Sequence, residues 1–401
     1  MLNQNSIRNM TKSEFYPFLE SLGYKNVRNL IKGKTNNDFY NLEMFLRNEL
    51  TKSDAKLNKD NLDSFLYSKF FFEINHYHYV YKLSSILGKK DDFSIELKDL
   101  LPYLSSTPEL KLNSNLVNIE CKEQYSLCST RYSSVTKNEK VYIDRIQFLF
   151  FINEIETIKG IVNFFCCVDL DLQSKFISFK FNSSVLENYT YSLDIVNTLL
   201  KTLTNDKGIF KDLEVVSESY NQSDARKTIQ KLFMDLSQQA EKILRDKADP
   251  NIKKHVMNFL DTIKVPNSQE YINQIISVVY QNISKEFNKT LFNDGWVFRF
   301  VFKEGDNTRA SSSTDEFEPV YSKKVYWNLK ELMFKRQGTD FIEGGFYWLT
   351  KKGLEPVAVK IEQKNNLIIM QYYKQDFNNK NRKEKEAFVL RKFRRAIPKK
   401  S

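Results

Sequence analysis

Glycine, proline, cysteine and histidine are all scarce in this chain of 401 residues, which has 11 Gly, 8 Pro, 4 Cys and 3 His. The cysteines do not follow the paired spacing of a zinc site, so we predict reduced thiols, as in a cytosolic protein. Three histidines offer little for acid–base catalysis, and we predict no metal site from them. The cysteines and histidines are Cys121, Cys128, Cys166, Cys167, His76, His78 and His255.

Long apolar runs and common catalytic motifs are also missing. The most apolar stretches, near 148–152 and 161–172, are much shorter than the roughly 20 residues of a membrane-spanning helix. The N-terminus has no apolar core of signal-peptide length. The chain has no GxGxxG or GxSxG motif, and Gly33-Lys34-Thr35 lacks the earlier glycine of a phosphate-binding loop. We therefore expect a cytoplasmic protein without a membrane span, and we predict no common enzyme class.

Positive charge is what the chain has in excess, and most of it lies at one end. The formal net charge is +11, and residues 378–401 carry +8 of it, with ten cations against Glu384 and Glu386. A near-neutral body with one basic end fits an anionic polymer or surface better than a small substrate. The ten cations are Lys380, Arg382, Lys383, Lys385, Arg391, Lys392, Arg394, Arg395, Lys399 and Lys400.

The patterning predicts a mixed α+β protein. Hydrophobic residues make up 41% of the chain and charged residues 28%, which is typical of a globular protein. The predicted segments are a helical N-terminal region (1–105), an α+β domain with an antiparallel β meander (106–215), a three-helix hairpin (216–294), a β-rich region (295–377) and a basic C-terminal segment (378–401).

Local periodicity supports these segments. Apolar residues repeat at three, four and seven over 223–293, which predicts three helices, and β-branched and aromatic stretches over 141–182 predict the meander. A helical period also continues through Asn61–Leu83, and Gly305–Glu318 is predicted to be a polar loop. Asn365-Asn366 predicts a β-hairpin. The basic segment contains an amphipathic helix over Arg382–Ile397.

One short segment partly resembles the core of the PD-(D/E)xK nucleases. Glu362-Gln363-Lys364 follows an apolar strand, and Asp340 lies upstream. In that family an Asp and a Glu bind a metal and the Lys helps to activate water, so the resemblance implies catalytic roles for Asp340, Glu362 and Lys364, with Mg²⁺ as cofactor. The segment departs from the family because no proline precedes Asp340 and the strand turns back into a hairpin.

A second candidate metal site lies at the end of an apolar strand. Asp169 and Asp171 are two residues apart, so both carboxylates would lie on one face, and Asp144 is predicted on the neighbouring strand. The alternative is a hairpin whose polar end faces water, because turns favour polar residues.

The leading prediction is a nucleic-acid-binding protein that neutralises phosphates through the ten cations and belongs to a larger assembly. Tyr372, Tyr373 and Phe377 could stack on bases or lie in a core. The alternatives are the magnesium-dependent nuclease, and an adaptor that forms homo-oligomers or binds a protein partner through the helical hairpin over 223–293. The basic helix could also be only a solvated helix or lie on a membrane surface. A mobile-element or phage-defence role is suggested by composition alone.

Overall fold

The computed structural model has mixed architecture, with 44% of residues in helices and 29% in strands, and this confirms the α+β prediction. The chain divides into two compact units, Met1–Glu218 (unit 1) and Ser219–Ser401 (unit 2). The residues that the structure describes are 2–90, 93–184, 189–205, 208–266, 268–284, 292–304, 308–334, 339–350 and 355–398.

Unit 1 combines short helices with an antiparallel sheet. Its helices are α1 (Gln4–Ile7), α2 (Lys12–Ser21), α3 (Val27–Leu30), α4 (Tyr40–Thr51), α5 (Lys59–Ser68), α6 (Leu97–Ser106), α7 (Tyr189–Thr204) and α8 (Ile209–Asp212). Its strands are β1 (Tyr77–Ser85), β2 (Ile95–Glu96), β3 (Ser126–Lys137), β4 (Lys140–Thr157), β5 (Gly160–Asp171), β6 (Phe176–Phe181) and β7 (Val216–Glu218). The strand order is β2-β4-β5-β6-β1, with β3 paired to β4 and β7 to β1.

The core of unit 1 forms where the N-terminal helices pack against β4 and β5. Capping at Thr11 and at Asn58 starts α2 and α5, and each helix then buries an apolar stripe. Phe15 and Leu66 from these helices belong to the same buried cluster as Leu149, Phe165 and Cys167 of the sheet. The strands β4, β5 and β6 pair in sequence, as the meander prediction expected.

The helix predicted through Asn61–Leu83 is wrong beyond Glu73. After α5 the chain forms one π-helical turn, Lys69–Glu73, and then enters the strand β1. This strand pairs with β6, whose residues follow it by about a hundred positions. Such long-range pairing overrides a local helical period, because the alternating aromatic residues of β1 fit a pleated sheet equally well.

Unit 2 has a long helix packed on a five-stranded antiparallel sheet. Its helices are α9 (Gln222–Lys247), α10 (Ile252–Thr262), α11 (Gln269–Ser284), α12 (Lys324–Phe334), α13 (Asp376–Asn379) and α14 (Arg382–Ala396). Its strands are β8 (Gly295–Glu304), β9 (Thr308–Ser313), β10 (Thr339–Trp348), β11 (Val357–Lys364) and β12 (Leu367–Tyr372), in the order β12-β11-β10-β8-β9. Phe233 of α9 packs against Phe341 of β10, with 4.6 Å between the ring centroids.

Several local predictions for unit 2 agree with the structure, and one does not. Helices occur at all three predicted places between 223 and 293, and the hairpin at Asn365-Asn366 joins β11 to β12, with Asn365 in the left-handed region. The loop predicted over Gly305–Glu318 is wrong for Thr308–Ser313, which forms β9 (residues 305–307 lie outside the described part of the chain). The polar sequence of β9 carries no strand signal of its own.

Candidate nucleic-acid interface

The basic segment of the chain forms α14, and this helix is an integral part of unit 2. Its inner face buries Val389, Leu390, Phe393 and Ala396, which recur at the three- and four-residue spacing of one helical face. The Phe393 ring lies 5.9 Å from that of Tyr220, just before α9. The apolar side of the helix is therefore occupied by the unit's own core, and only its other side faces outward.

Two of the ten predicted cations are buried on the inner face of α14. The Arg382 guanidinium lies 3.8 Å from the ring centroid of Tyr372 and donates to Glu386 Oε1 at 3.2 Å. The Lys385 ammonium donates to the carbonyl of Phe377 and lies 3.9 Å from Glu355 Oε2. These two cations therefore serve the docking of α14 instead of the outer surface.

The outer face of α14 carries the cations that a phosphate backbone could reach. Arg391, Arg394 and Arg395 are exposed, and Lys383 and Lys392 are partly exposed. The three arginines occupy neighbouring positions, because residues three and four apart lie side by side on a helix. The acid exposed on this helix is Glu384. We call Lys383, Arg391, Lys392, Arg394 and Arg395 the outer cations.

The remaining predicted cations lie beyond the helix. Lys380 is exposed and its ammonium lies 3.0 Å from Glu355 Oε1. Lys399 and Lys400 lie outside the described residues.

Burial at the inner face of α14 leads to a pH dependence of folding. Burial lowers the pKa of the Lys385 ammonium to about 8, against 10.5 for an ordinary lysine. Between these two values the unfolded chain binds a proton that the folded chain lacks, so the contribution of Lys385 to stability increases as the pH rises from 8 towards 10.5. We expect the free energy of unfolding of the wild type to rise relative to that of Lys385→Met over this interval, in urea titrations at stepped pH. Equal pH profiles would contradict the assignment, and Lys383→Met on the outer face is the control.

The charge of the chain is divided unequally between its two units. Residues 219–401 have 34 Lys/Arg against 22 Asp/Glu and so carry +12, whereas residues 1–218 have 27 against 28 and carry −1. The exposed cations of α14 thus belong to the strongly basic unit. Charge of this kind favours association with polyanions.

The structure gives the carboxylates of the nuclease-like segment different partners. Asp340 Oδ2 lies 2.5 Å from Arg226 Nη1, and the same guanidinium donates through Nε to Gln363. Glu362 is next to Gln363 on β11, so its side chain lies on the opposite face of the sheet. There it accepts a hydrogen bond from Lys360 at 3.3 Å and sits opposite Glu343.

Lys364 is the exposed last residue of β11 and lies on the Glu362 face of the strand. No contact between described residues joins Asp340 to Glu362, and the nuclease remains a sequence prediction.

Asp169 and Asp171 do share a face, but cations already neutralise them. Asp171 Oδ2 accepts from Arg145 Nη2 at 2.9 Å, and Asp169 Oδ1 lies 3.4 Å from Arg145 Nε. The second oxygen of Asp169 is bonded to the Lys180 ammonium. All four side chains are buried. The residue paired with Asp169 on β4 is Gln147, and Asp144 is not opposite either acid.

We call Arg145, Asp169, Asp171 and Lys180 the buried charge cluster. Two positive and two negative groups balance there, which argues for a structural role, because a divalent cation needs an excess of anionic oxygen ligands. Sequence reasoning found the two acids and missed both cations.

Other predicted donors do not assemble into a metal centre within the described residues. No group of three or more His, Cys, Asp or Glu side chains in the part of the chain described by the structure could hold a metal ion. His76 and His78 are buried at the start of β1, and His255 pairs with Asp249 at 3.4 Å. The four cysteines are free thiols.

The three aromatic residues proposed to stack on bases fall into two environments. Tyr372 is fully buried beneath Arg382 and belongs to the core. Tyr373 and Phe377 are half-buried and pack around Phe317, at 4.8 and 6.1 Å between ring centroids. Only the latter two retain solvent-facing ring surface.

The helical hairpin exposes apolar side chains, as an adaptor surface would. Phe259 and Ile263 of the α10 region are 53% and 47% exposed, and Tyr271 and Val278 of α11 are 44% and 62% exposed. The homo-oligomer and the protein partner remain predictions.

Comparisons with known proteins return nothing for this chain: no family model, no curated protein and no solved structure matches it. Among the described helices, none combines the length and apolarity required to cross a membrane.

Proposed function

We propose that this protein binds nucleic acid by neutralising its phosphate backbone with the outer cations of α14. The observation that supports this proposal is the sidedness of the helix. Its apolar face is buried in unit 2, while five cations and one acid lie on the remaining surface. Helix-dipole stabilisation accounts for cations in the last turn, such as Arg394 and Arg395, but not for Lys383 and Arg391 earlier in the helix.

The proposed binding is driven by counterion release and carries little sequence preference. Each neutralised phosphate contributes about −0.9 to the log–log slope of affinity against salt on duplex DNA. Five outer cations then correspond to a slope of about −4 to −5. Base preference would require contacts to base edges or stacking, and the half-buried rings of Tyr373 and Phe377, which precede α14 in the chain, are the groups we assign to stacking.

Removing three outer cations tests the proposal. In Arg391→Ala/Arg394→Ala/Arg395→Ala we expect the salt slope to fall in magnitude by about 2.7 on duplex and about 2.1 on single-stranded oligonucleotides, measured by fluorescence anisotropy with labelled probes. The matched control is Lys25→Ala/Lys32→Ala/Lys34→Ala, which removes the same charge from exposed positions of unit 1. The control should retain the wild-type slope. Absence of binding at low salt, or equal losses in the two triple variants, would contradict the proposal.

A further inference from the structure

A cleft of about 530 Å³ lies among the helices of unit 2, and none of its lining residues belongs to the outer cations of α14. It is bounded by the C-terminal end of α9, the start of α10, one side of α11, and Lys330 of α12. Ligand pockets in proteins have volumes of about 300–1,000 Å³, so the space suits a small organic ligand. The residues lining it are Arg245, Ala248, Asp249, Pro250, Ile252, Lys253, Gln269, Asn273, Ile276, Tyr280 and Lys330.

The charge of this lining favours an anion. It contains three cations, Arg245, Lys253 and Lys330, and one acid, Asp249. Asp249 Oδ1 accepts from the Asn251 amide at 2.8 Å at the start of α10, and Lys330 is paired with Glu241, so Arg245 and Lys253 are the cations in excess of the acid.

The Lys330 ammonium is held in place at the wall of the cleft. It lies 3.1 Å from Glu241 Oε2 and 5.7 Å from the ring centroid of Tyr280. The ammonium also lies 5.5 Å from the ring centroid of Trp327, so its positive charge has a fixed position at the wall of the cleft.

The uncharged part of the lining suits a flat, partly apolar group with polar edges. Ile252, Ile276 and Tyr280 provide apolar surface. A chain of hydrogen bonds crosses between α10 and α11, from Lys253 Nζ to Gln269 Oε1 at 3.1 Å and from Gln269 Nε2 to Asn273 Oδ1 at 2.7 Å. Side-chain amides of this kind offer both donors and acceptors to the edge of a heterocycle.

We propose that this cleft binds a nucleoside phosphate, with the phosphates at Arg245, Lys253 and Lys330 and the base against Ile276 and Tyr280. Cations bind the phosphates through charge-assisted hydrogen bonds, and the Gln269–Asn273 pair contacts the base edge. This site shares no residue with the outer cations of α14, so an experiment can disprove either proposal without affecting the other.

Titration calorimetry on the full chain tests this site with ATP, adenosine and tripolyphosphate as probes. ATP is expected to bind more tightly than either of the others, because it alone engages both parts of the cleft. In Arg245→Ala/Lys253→Ala, the dissociation constant for ATP is expected to rise at least about tenfold, since two charge-assisted contacts are lost. Both side chains are exposed, so these substitutions should leave the fold intact.

Two controls separate the cleft from general electrostatics. Lys254→Ala/Lys264→Ala removes the same charge from exposed positions near α10 that do not line the cleft, and ATP affinity should stay within about twofold of the wild type. Arg391→Ala/Arg394→Ala/Arg395→Ala should likewise leave ATP affinity unchanged. Equal affinity for tripolyphosphate and ATP, no binding of ATP, or equal losses in the cleft and control variants would each overturn the proposal.

Discussion

Replacing Asp169 by alanine is expected to lower the free energy of unfolding by about 3–5 kcal/mol, the typical effect of removing one member of a buried ion pair. Asp169 is 2% exposed and contacts Arg145, Lys180 and Gln147. Both cations also lie near the ring of Phe72, at 5.6 Å for Arg145 and 4.9 Å for Lys180. Without the carboxylate, positive charge would remain in an apolar region that water does not reach, and this costs free energy.

Urea unfolding followed by far-UV circular dichroism measures this effect, with Glu156→Ala as control. Glu156 is an exposed acid on β4, and its removal should change stability by no more than about 0.5 kcal/mol. The double variant Asp169→Leu/Lys180→Met removes both charges together and should be much closer to the wild type than Asp169→Ala. A loss below about 1 kcal/mol in Asp169→Ala would count against a structural role, and magnesium-dependent stabilisation of the wild type would favour a metal site.

The buried charge cluster shows why a sequence can indicate a site of the wrong kind. Asp169 and Asp171 were visible as two acids on one strand face, and strand alternation predicted their shared direction correctly. What they do depends on Arg145 and Lys180, which lie on the flanking strands β4 and β6. Their pairing with β5 is set by register, and a shift of one residue would turn either cation to the other face. Local sequence cannot supply that register.

Fold prediction succeeded where the signal was local. The helix α14, the Asn365 hairpin and the helices α9, α10 and α11 each follow from spacing or turn chemistry within a few residues. The strands β1 and β9 were missed for different reasons. Strand β1 pairs with β6, which is distant in sequence, and its apolar spacing is also compatible with a helix. Strand β9 is a polar segment that forms a strand by pairing with β8.

The candidate interface also has one part that local sequence predicts and one part that it does not. The charge of the C-terminal segment was readable from composition, whereas the burial of Arg382 and Lys385 was not. Burial depends on what lies beneath the helix, namely the ring of Tyr372 and the carbonyl of Phe377. The four-residue spacing between Arg382 and Glu386 was the one available signal, because oppositely charged residues at this spacing pair on a helix.

Substitutions of Glu384 and Glu386 distinguish the role of α14 in stabilising unit 2 from its proposed role in binding nucleic acid. Glu386 is 1% exposed and bonded to Arg382, whose side chain is 0% exposed, whereas Glu384 is exposed on the outer face. Glu386→Ala is expected to lower the free energy of unfolding by about 3–5 kcal/mol, because it leaves a buried guanidinium without its carboxylate. Glu384→Ala should change stability by no more than about 0.5 kcal/mol.

The same pair has a second expected result, in nucleic-acid binding. Both substitutions remove one negative charge, but only Glu384 lies beside the outer cations. At low salt and at a temperature where both variants are folded, Glu384→Ala is expected to bind oligonucleotides more tightly than the wild type, and Glu386→Ala is not. Equal gains in affinity would mean that net charge alone determines binding. A gain confined to Glu384→Ala, together with a loss of stability confined to Glu386→Ala, would show that one face of α14 anchors the helix while the other meets the phosphates.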